Sequence, residues 1–196
     1  MNRRKAIQNA SLIAGATIAF PSLLSLISAC QHQDRTTWTP IFLNADQAKL
    51  ISTLVDIWLP RTDTPGALDV KVDVFIDLLL GKAYDSNGQE MVKQELDQLN
   101  KQCQEQFGSA FNNLSRDDQI AFIQEQESSS SKFNKSIWGK TIGKQEPISF
   151  YRSLKSTALW AYFSSEEISK NVLNYDPVPG VYQGCIPLSD VGRLWS

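Results

Sequence analysis

From Leu43 to Asn174 the apolar residues recur at three- and four-residue intervals, and no run keeps the two-residue rhythm of a half-buried strand. That spacing confines the body of the chain to helices. Leu50, Ile51, Leu54, Val55 and Trp58 form a first stripe, opened by Asn44 with Gln47 three residues on, close to a capping box, and stopped by Pro60. Val72, Phe75, Ile76, Leu79 and Leu80 form a second that ends near Gly81. Val92, Leu96, Leu99 and Cys103 form a third that ends at Phe107-Gly108. Ser115 with Asp118 starts a short helix through Ile120 and Ile123, and Phe150, Leu154, Ala158 and Ala161 mark another. Ser164 to Asn171 reads as a short capped helix. The expected class is all-α, a compact bundle of about six helices. After Asn174 the stretch "YDPVPGVYQGCIPLSD" holds prolines and glycines that a regular helix rejects, so 175–196 is expected to be an extended Pro/Gly-rich C-terminal arm.

Ahead of this body lies a segment of different character. Arg3, Arg4 and Lys5 form a basic start with no acid nearby. A mildly apolar run from Ala10 to Ala29 comes next and ends at Ile27-Ser28-Ala29-Cys30. A charged start, an apolar middle and small residues at the end describe an export signal. The last four residues resemble a bacterial lipobox, in which Cys30 is acylated and becomes the new N-terminus. An uncleaved membrane anchor is the alternative, since the run is long enough to span; Pro21 and the small residues at 28–29 favour cleavage. Arg3-Arg4 resembles a twin-arginine signal, with Ala6 where that signal usually carries an aromatic. The chain then divides into an export signal at 1–29, a lipidated tether at 30–42, a helical domain at 43–174 and the arm at 175–196. The expected location is outside the inner membrane barrier, anchored by lipid and facing the periplasm or the cell surface. Cleavage would lower the 19 basic residues by three to 16, against 21 acidic, a net charge of -5.

The inventory excludes much chemistry. A whole-chain net charge of -2 argues against nucleic acid as a partner. The one histidine, His32, lies in the tether, so the body has no imidazole for a triad, a general base or a zinc site. No Cys-x-x-Cys-His appears for covalent haem and no GxGxxG for a dinucleotide. The acidic stretch "PRTDTPGALDVKVDVFID" remains. Asp69, Asp73 and Asp77 recur every four residues and share a helix face, which reads as a solvated face or a surface for a basic partner, with Asp69 available as a helix cap. Asp63 stands before the turn, placed for a local bond to backbone. A carboxylate metal or hydrolase site between Asp63 and Asp77 is a competing reading, though such sites usually recruit more ligands. Of the aromatics, Trp58, Trp138 and Trp160 lie in the body. Tyr175, Tyr182 and Trp195 lie in the arm, where Trp and Tyr act as interface anchors.

Two stretches together carry a family resemblance: "IWLPRTDTPGALDVKVDVFID" from Ile57 to Asp77, and "LNYDPVPGVYQGCIPLSDVGRLW" from Leu173 to Trp195. With the twin-arginine-like start, the chain resembles the gluconate 2-dehydrogenase subunit 3 family across roughly Leu43 to Trp195. The resemblance implies a small, cofactor-free accessory subunit of a membrane-associated sugar or polyol dehydrogenase. Its partner would be a large FAD-containing subunit of the glucose–methanol–choline type, with a cytochrome c subunit or another acceptor taking the electrons. The small subunit would aid maturation and supply the export signal for both, and it would carry no catalytic, cofactor or metal residue of its own. The lipid anchor departs from the family pattern and puts in doubt the need for a cytochrome to hold the complex at the membrane.

On this reading the Thr-Asp-Thr-Pro-Gly turn orients the second helix, with Pro65 fixing φ and Gly66 supplying a conformation other residues avoid. The candidate partner interface comprises Asp63, Pro65, Gly66, Asp73, Tyr175, Pro179, Gly180, Tyr182 and Trp195. In an exported protein disulfides persist. Cys185 is the candidate for a bond to a partner cysteine, and a Cys103–Cys185 bridge is the alternative. A stand-alone helical lipoprotein that binds a small ligand or peptide in a cleft is the competing function.

Overall fold

The computed structural model describes residues 38–131, 136–137, 140–143, 147–178, 180 and 184–195. The chain divides into two units, Met1–Trp38 and Thr39–Ser196, and every helix among the described residues belongs to the second. Arg3, Arg4, Cys30, Trp138, Pro179 and Tyr182 lie outside the described residues.

The described body is almost wholly helical, in line with the apolar spacing. Helix α1 runs Ala45–Trp58, α2 Val72–Ala83, α3 Ser86–Phe107, α4 Arg116–Ser129 and α5 Phe150–Phe163. A 3-10 turn, Phe111–Asn113, precedes α4, and a π-helical turn, Ile168–Val172, stands where a short capped helix was expected. A last short helix, α6, spans Leu188–Val191. A two-residue antiparallel pair, Ser136–Ile137 with Lys140–Thr141, is the one strand feature among the described residues that the apolar spacing does not foreshadow.

Local chemistry sets the helix ends. At α1 both halves of the capping box form: Asn44 Oδ1 accepts from the Gln47 amide at 2.8 Å, and Gln47 Oε1 accepts from the Asn44 amide at 3.3 Å. Asp85, Ser115 and Ser149 cap α3, α4 and α5 through side chains that accept from backbone amides. Gly108 closes α3 at φ 73, the left-handed geometry a glycine adopts without strain.

Helix α1 is the central element and packs on α2, α3, α5 and the 3-10 turn. Its Leu50, Ile51, Leu54 and Val55 are at most 2 % exposed. Val72 and Ile76 of α2, Leu96 and Cys103 of α3, Phe122 of α4 and Leu154 and Ala158 of α5 are buried with them. Each fully buried aliphatic side chain contributes about 1.5–3 kcal/mol. The most extensive helix pair is α2 on α5.

Candidate partner interface

Helix α2 is held by the segment that precedes it. Ala67, fully buried, donates its amide to the Leu59 carbonyl at the end of α1 at 2.9 Å. The Pro65 carbonyl accepts from the Tyr162 hydroxyl of α5 at 2.7 Å. Asp69 Oδ2 accepts from the Gly66 amide at 2.8 Å, and Arg61 lies 3.4 Å from its other oxygen. The turn is therefore stapled to α1 and to α5 before α2 begins.

Three expectations change here. Asp69 does not cap α2, because it precedes the helix and closes the turn instead; the cap position is Lys71, at φ 58, with no side-chain capping bond. Gly66 is required for space rather than for a left-handed backbone. A Cβ there would stand 2.6 Å from the Arg61 nitrogen and 3.0 Å from the Leu59 oxygen, both immovable backbone. Asp73 and Asp77 are not on a solvated face, since each is 1 % exposed.

Those two buried carboxylates are internal ties. Asp77 accepts three backbone amides: Ile41 at 2.6 Å, Phe42 at 3.1 Å and Leu43 at 2.8 Å. With the Asn44 amide on Gln47, four successive N–H groups leading into α1 are satisfied by side chains. The acid also lies beside the positive end of the α1 dipole. Asp73 Oδ2 accepts from the Ser52 hydroxyl of α1 at 2.6 Å. Asp73 is thus removed from the candidate interface. Asp63 is exposed on the turn, Pro65 is half-buried and Gly66 is buried. Among the described residues no group of three or more His, Cys, Asp or Glu is placed to hold a metal ion, and the Asp73 and Asp77 carboxylates point to hydroxyl and amide donors.

The side of α2 turned away from these ties is apolar and exposed. Phe75 (38 % exposed) and Leu78 (42 %) stand three residues apart on α2. Trp160 (56 %) and Phe163 (44 %) stand three apart on α5. The Phe75 and Trp160 rings touch across the helix pair, with centroids 5.6 Å apart. The apolar spacing alone counts Phe75 with the core stripe and leaves Trp160 as aromatic bulk. The usable signal is that Trp160 falls off the stripe of Leu154, Ala158 and Ala161.

The C-terminal arm is irregular as expected, and its ends are tied together. The Asn174 amide donates to the Leu194 carbonyl at 2.8 Å, and its side-chain amide donates to the carbonyls of Val191 at 2.6 Å and Arg193 at 2.8 Å. Asn174 and Trp195 form a parallel bridge. Apart from half-buried Val191, the described residues between carry exposed side chains, including Tyr175, Val178 and Leu188, and Gly180 is exposed as well. Trp195 is 59 % exposed.

Cys103 is fully buried in α3 while Cys185 is exposed in the arm, and both thiols are free, so the Cys103–Cys185 bridge is not formed. Burial pushes the Cys103 thiol up to about 11. Elsewhere, Lys155 at 2.7 Å and Arg152 at 3.0 Å clamp Glu127 between α4 and α5, and the Lys155 bond holds that carboxyl below its usual range. Trp58 Nε1 donates to the Tyr151 hydroxyl at 3.2 Å, and burial raises that phenol to about 12.

A groove of about 450 Å³ lies between the lead-in to α1 and α3. Its polar groups engage one another: Gln47 donates to Asp97 at 3.0 Å, and the Lys93 ammonium sits 4.5 Å from the Phe42 ring centre. No described helix is long and apolar enough to cross a membrane.

The site is thus a capped helical bundle in which the buried carboxylates Asp73 and Asp77 act as internal ties beside an exposed aromatic pair. Residues 45–180 match the family described as gluconate 2-dehydrogenase subunit 3, and the chain belongs to that family of accessory dehydrogenase subunits. The match ends within the arm and takes in Leu173 to Gly180 of the C-terminal stretch that carried part of the resemblance. No curated protein and no solved structure matches the chain.

Proposed function

We propose that this chain is the non-catalytic accessory subunit of an exported, FAD-dependent dehydrogenase of the glucose–methanol–choline type that oxidises an alcohol group of a sugar or glycoside. The observation that carries the reading is the family match over 45–180, which spans the whole helical core. Export follows from Arg3-Arg4, anchoring from acylation of Cys30, and a cytochrome c subunit or other acceptor takes the electrons from the flavin. The flavoprotein folds around its cofactor before export, so a partner that carries a signal for folded cargo can take it across. Such a partner needs contact area rather than redox groups. A bond from Cys185 to a partner cysteine in an oxidising compartment is part of the proposal, and the exposure of that thiol supports it.

The test is purification of the tagged chain from its native host in mild detergent, with an absorbance spectrum and mass spectrometry. The expected result is a yellow complex that contains a large oxidoreductase and a diacylated or triacylated Cys30. A colourless, solitary chain would refute the reading and favour the ligand-binding lipoprotein.

A further inference from the structure

We propose that the outward face of the α2–α5 pair is the surface on which the catalytic dehydrogenase subunit docks, through a partner surface that is apolar at its centre and carboxylate-bearing at its margins. This inference rests on the accessory-subunit reading and adds to it a location and a chemistry.

Phe75, Leu78, Trp160 and Phe163 are all more than a third exposed, and the Phe75–Trp160 ring contact joins the two helices into one apolar surface. The remaining exposed residues of α5 are Ser153 and Ser156, and the acids of α2 are turned inward. The exposed Lys71 and Lys82 stand at the two ends of α2. An apolar, aromatic centre on two helices that expose no carboxylate of their own is the composition of an interface core rather than of a solvated helix pair.

Charge then selects the occupant. A second copy of the chain docked face to face would set α2 and α5 against the same two helices, whose own exposed residues include lysine and no carboxylate. An anionic lipid surface is usually read by clusters of four or more basic residues, and this face offers two. A protein surface with carboxylates flanking an apolar patch satisfies both features. The family supplies the candidate, a dehydrogenase catalytic subunit.

The experiment uses the full-length tagged chain, expressed with its native partner, and quantifies the co-purifying dehydrogenase subunit by mass spectrometry. Phe75→Ser with Trp160→Ser is expected to lower the partner recovered per chain at least tenfold, and Lys71→Glu with Lys82→Glu at least threefold, whereas Met91→Ser, at an exposed position of α3, leaves it unchanged. Circular dichroism and a melting curve check each variant's fold. Should the aromatic pair of substitutions unfold the chain, the lysine pair, which removes nothing from the core, decides. Partner recovery at the wild-type level in folded variants overturns the assignment of this face and leaves the accessory reading intact. A wild-type chain that recovers no dehydrogenase subunit overturns both. A wild-type chain that instead dimerises through this face, or binds phosphatidylglycerol vesicles through it, also overturns the assignment.

Discussion

The two sides of α2 invert the usual arrangement. Its inward side holds Asp73 and Asp77 beside Val72, Ile76 and Leu80, and its outward side holds Phe75 and Leu78. Burial of a carboxylate is costly unless donors surround it. Asp77 meets that condition with three amides, and Asp73 receives the Ser52 hydroxyl. Exposure of a phenylalanine beside a tryptophan gains little for the isolated chain. The inner side therefore stabilises the fold, and the outer side has no comparable structural purpose. The difference teaches that residue type alone does not tell core from surface; the available partners do.

The largest expected effect lies on the inner side. Asp77→Ala strands three amides at the lead-in to α1, and loss of such a buried network costs about 3–5 kcal/mol. Urea unfolding measures the cost, and hydrogen exchange should show the Ile41, Phe42 and Leu43 amides losing protection first. Loss under about 1 kcal/mol would mean the lead-in is not held by this carboxylate.

Alkaline pH should act on the core next. Burial favours the neutral thiol of Cys103, raised from about 9 to about 11, and the neutral phenol of Tyr151, raised from about 10 to about 12. Raised values mean that the folded state holds its protons more tightly. The stabilisation is complete below the unfolded values, near 9 and 10, and is lost as pH rises through the folded ones. Each group is worth about 2–3 kcal/mol. Unfolding curves of Cys103→Ala and Tyr151→Phe against pH should each remove one part of that alkaline loss.

Gly66→Ala tests the staple that aims α2. The added methyl meets backbone of Pro60 and Arg61, and such overpacking costs about 1–3 kcal/mol. A neutral or stabilising result would show that the turn can shift.

The smallest expected effect on the fold comes from the outer side. Phe75→Ser with Trp160→Ser removes one exposed ring pair, worth about 1 kcal/mol in the isolated chain. A thermal melt that falls as far as that of Asp77→Ala would erase the contrast between the two sides.

Much of the architecture is legible because it rests on local rules. Asn44-x-x-Gln47, Ser115-x-x-Asp118, Pro60 and Gly108 announce helix ends through bonds that span three or four residues. The candidate site is less legible. A four-residue spacing of aspartates marks a shared face, yet which way that face turns depends on partners such as Ile41 and Leu43, 36 and 34 residues away. The same holds for Gly66, whose neighbours are Leu59, Pro60 and Arg61 folded back on it. The ring contact of Phe75 with Trp160 joins residues on different helices, and no spacing within either helix encodes it.

By itself the sequence determined the helical class, the helix ends marked by Asn44, Pro60, Gly108 and Ser115, and the irregular C-terminal arm, because those follow from backbone chemistry within one turn of chain. It also carried the motifs of the family. The tertiary structure alone decided that the acids of α2 turn inward and its aromatic outward, that the arm closes on Asn174, and that Cys103 is sealed while Cys185 is open. The physical reason is that desolvation and hydrogen-bond satisfaction are properties of a side chain's surroundings, and those surroundings are assembled from residues far apart in the chain.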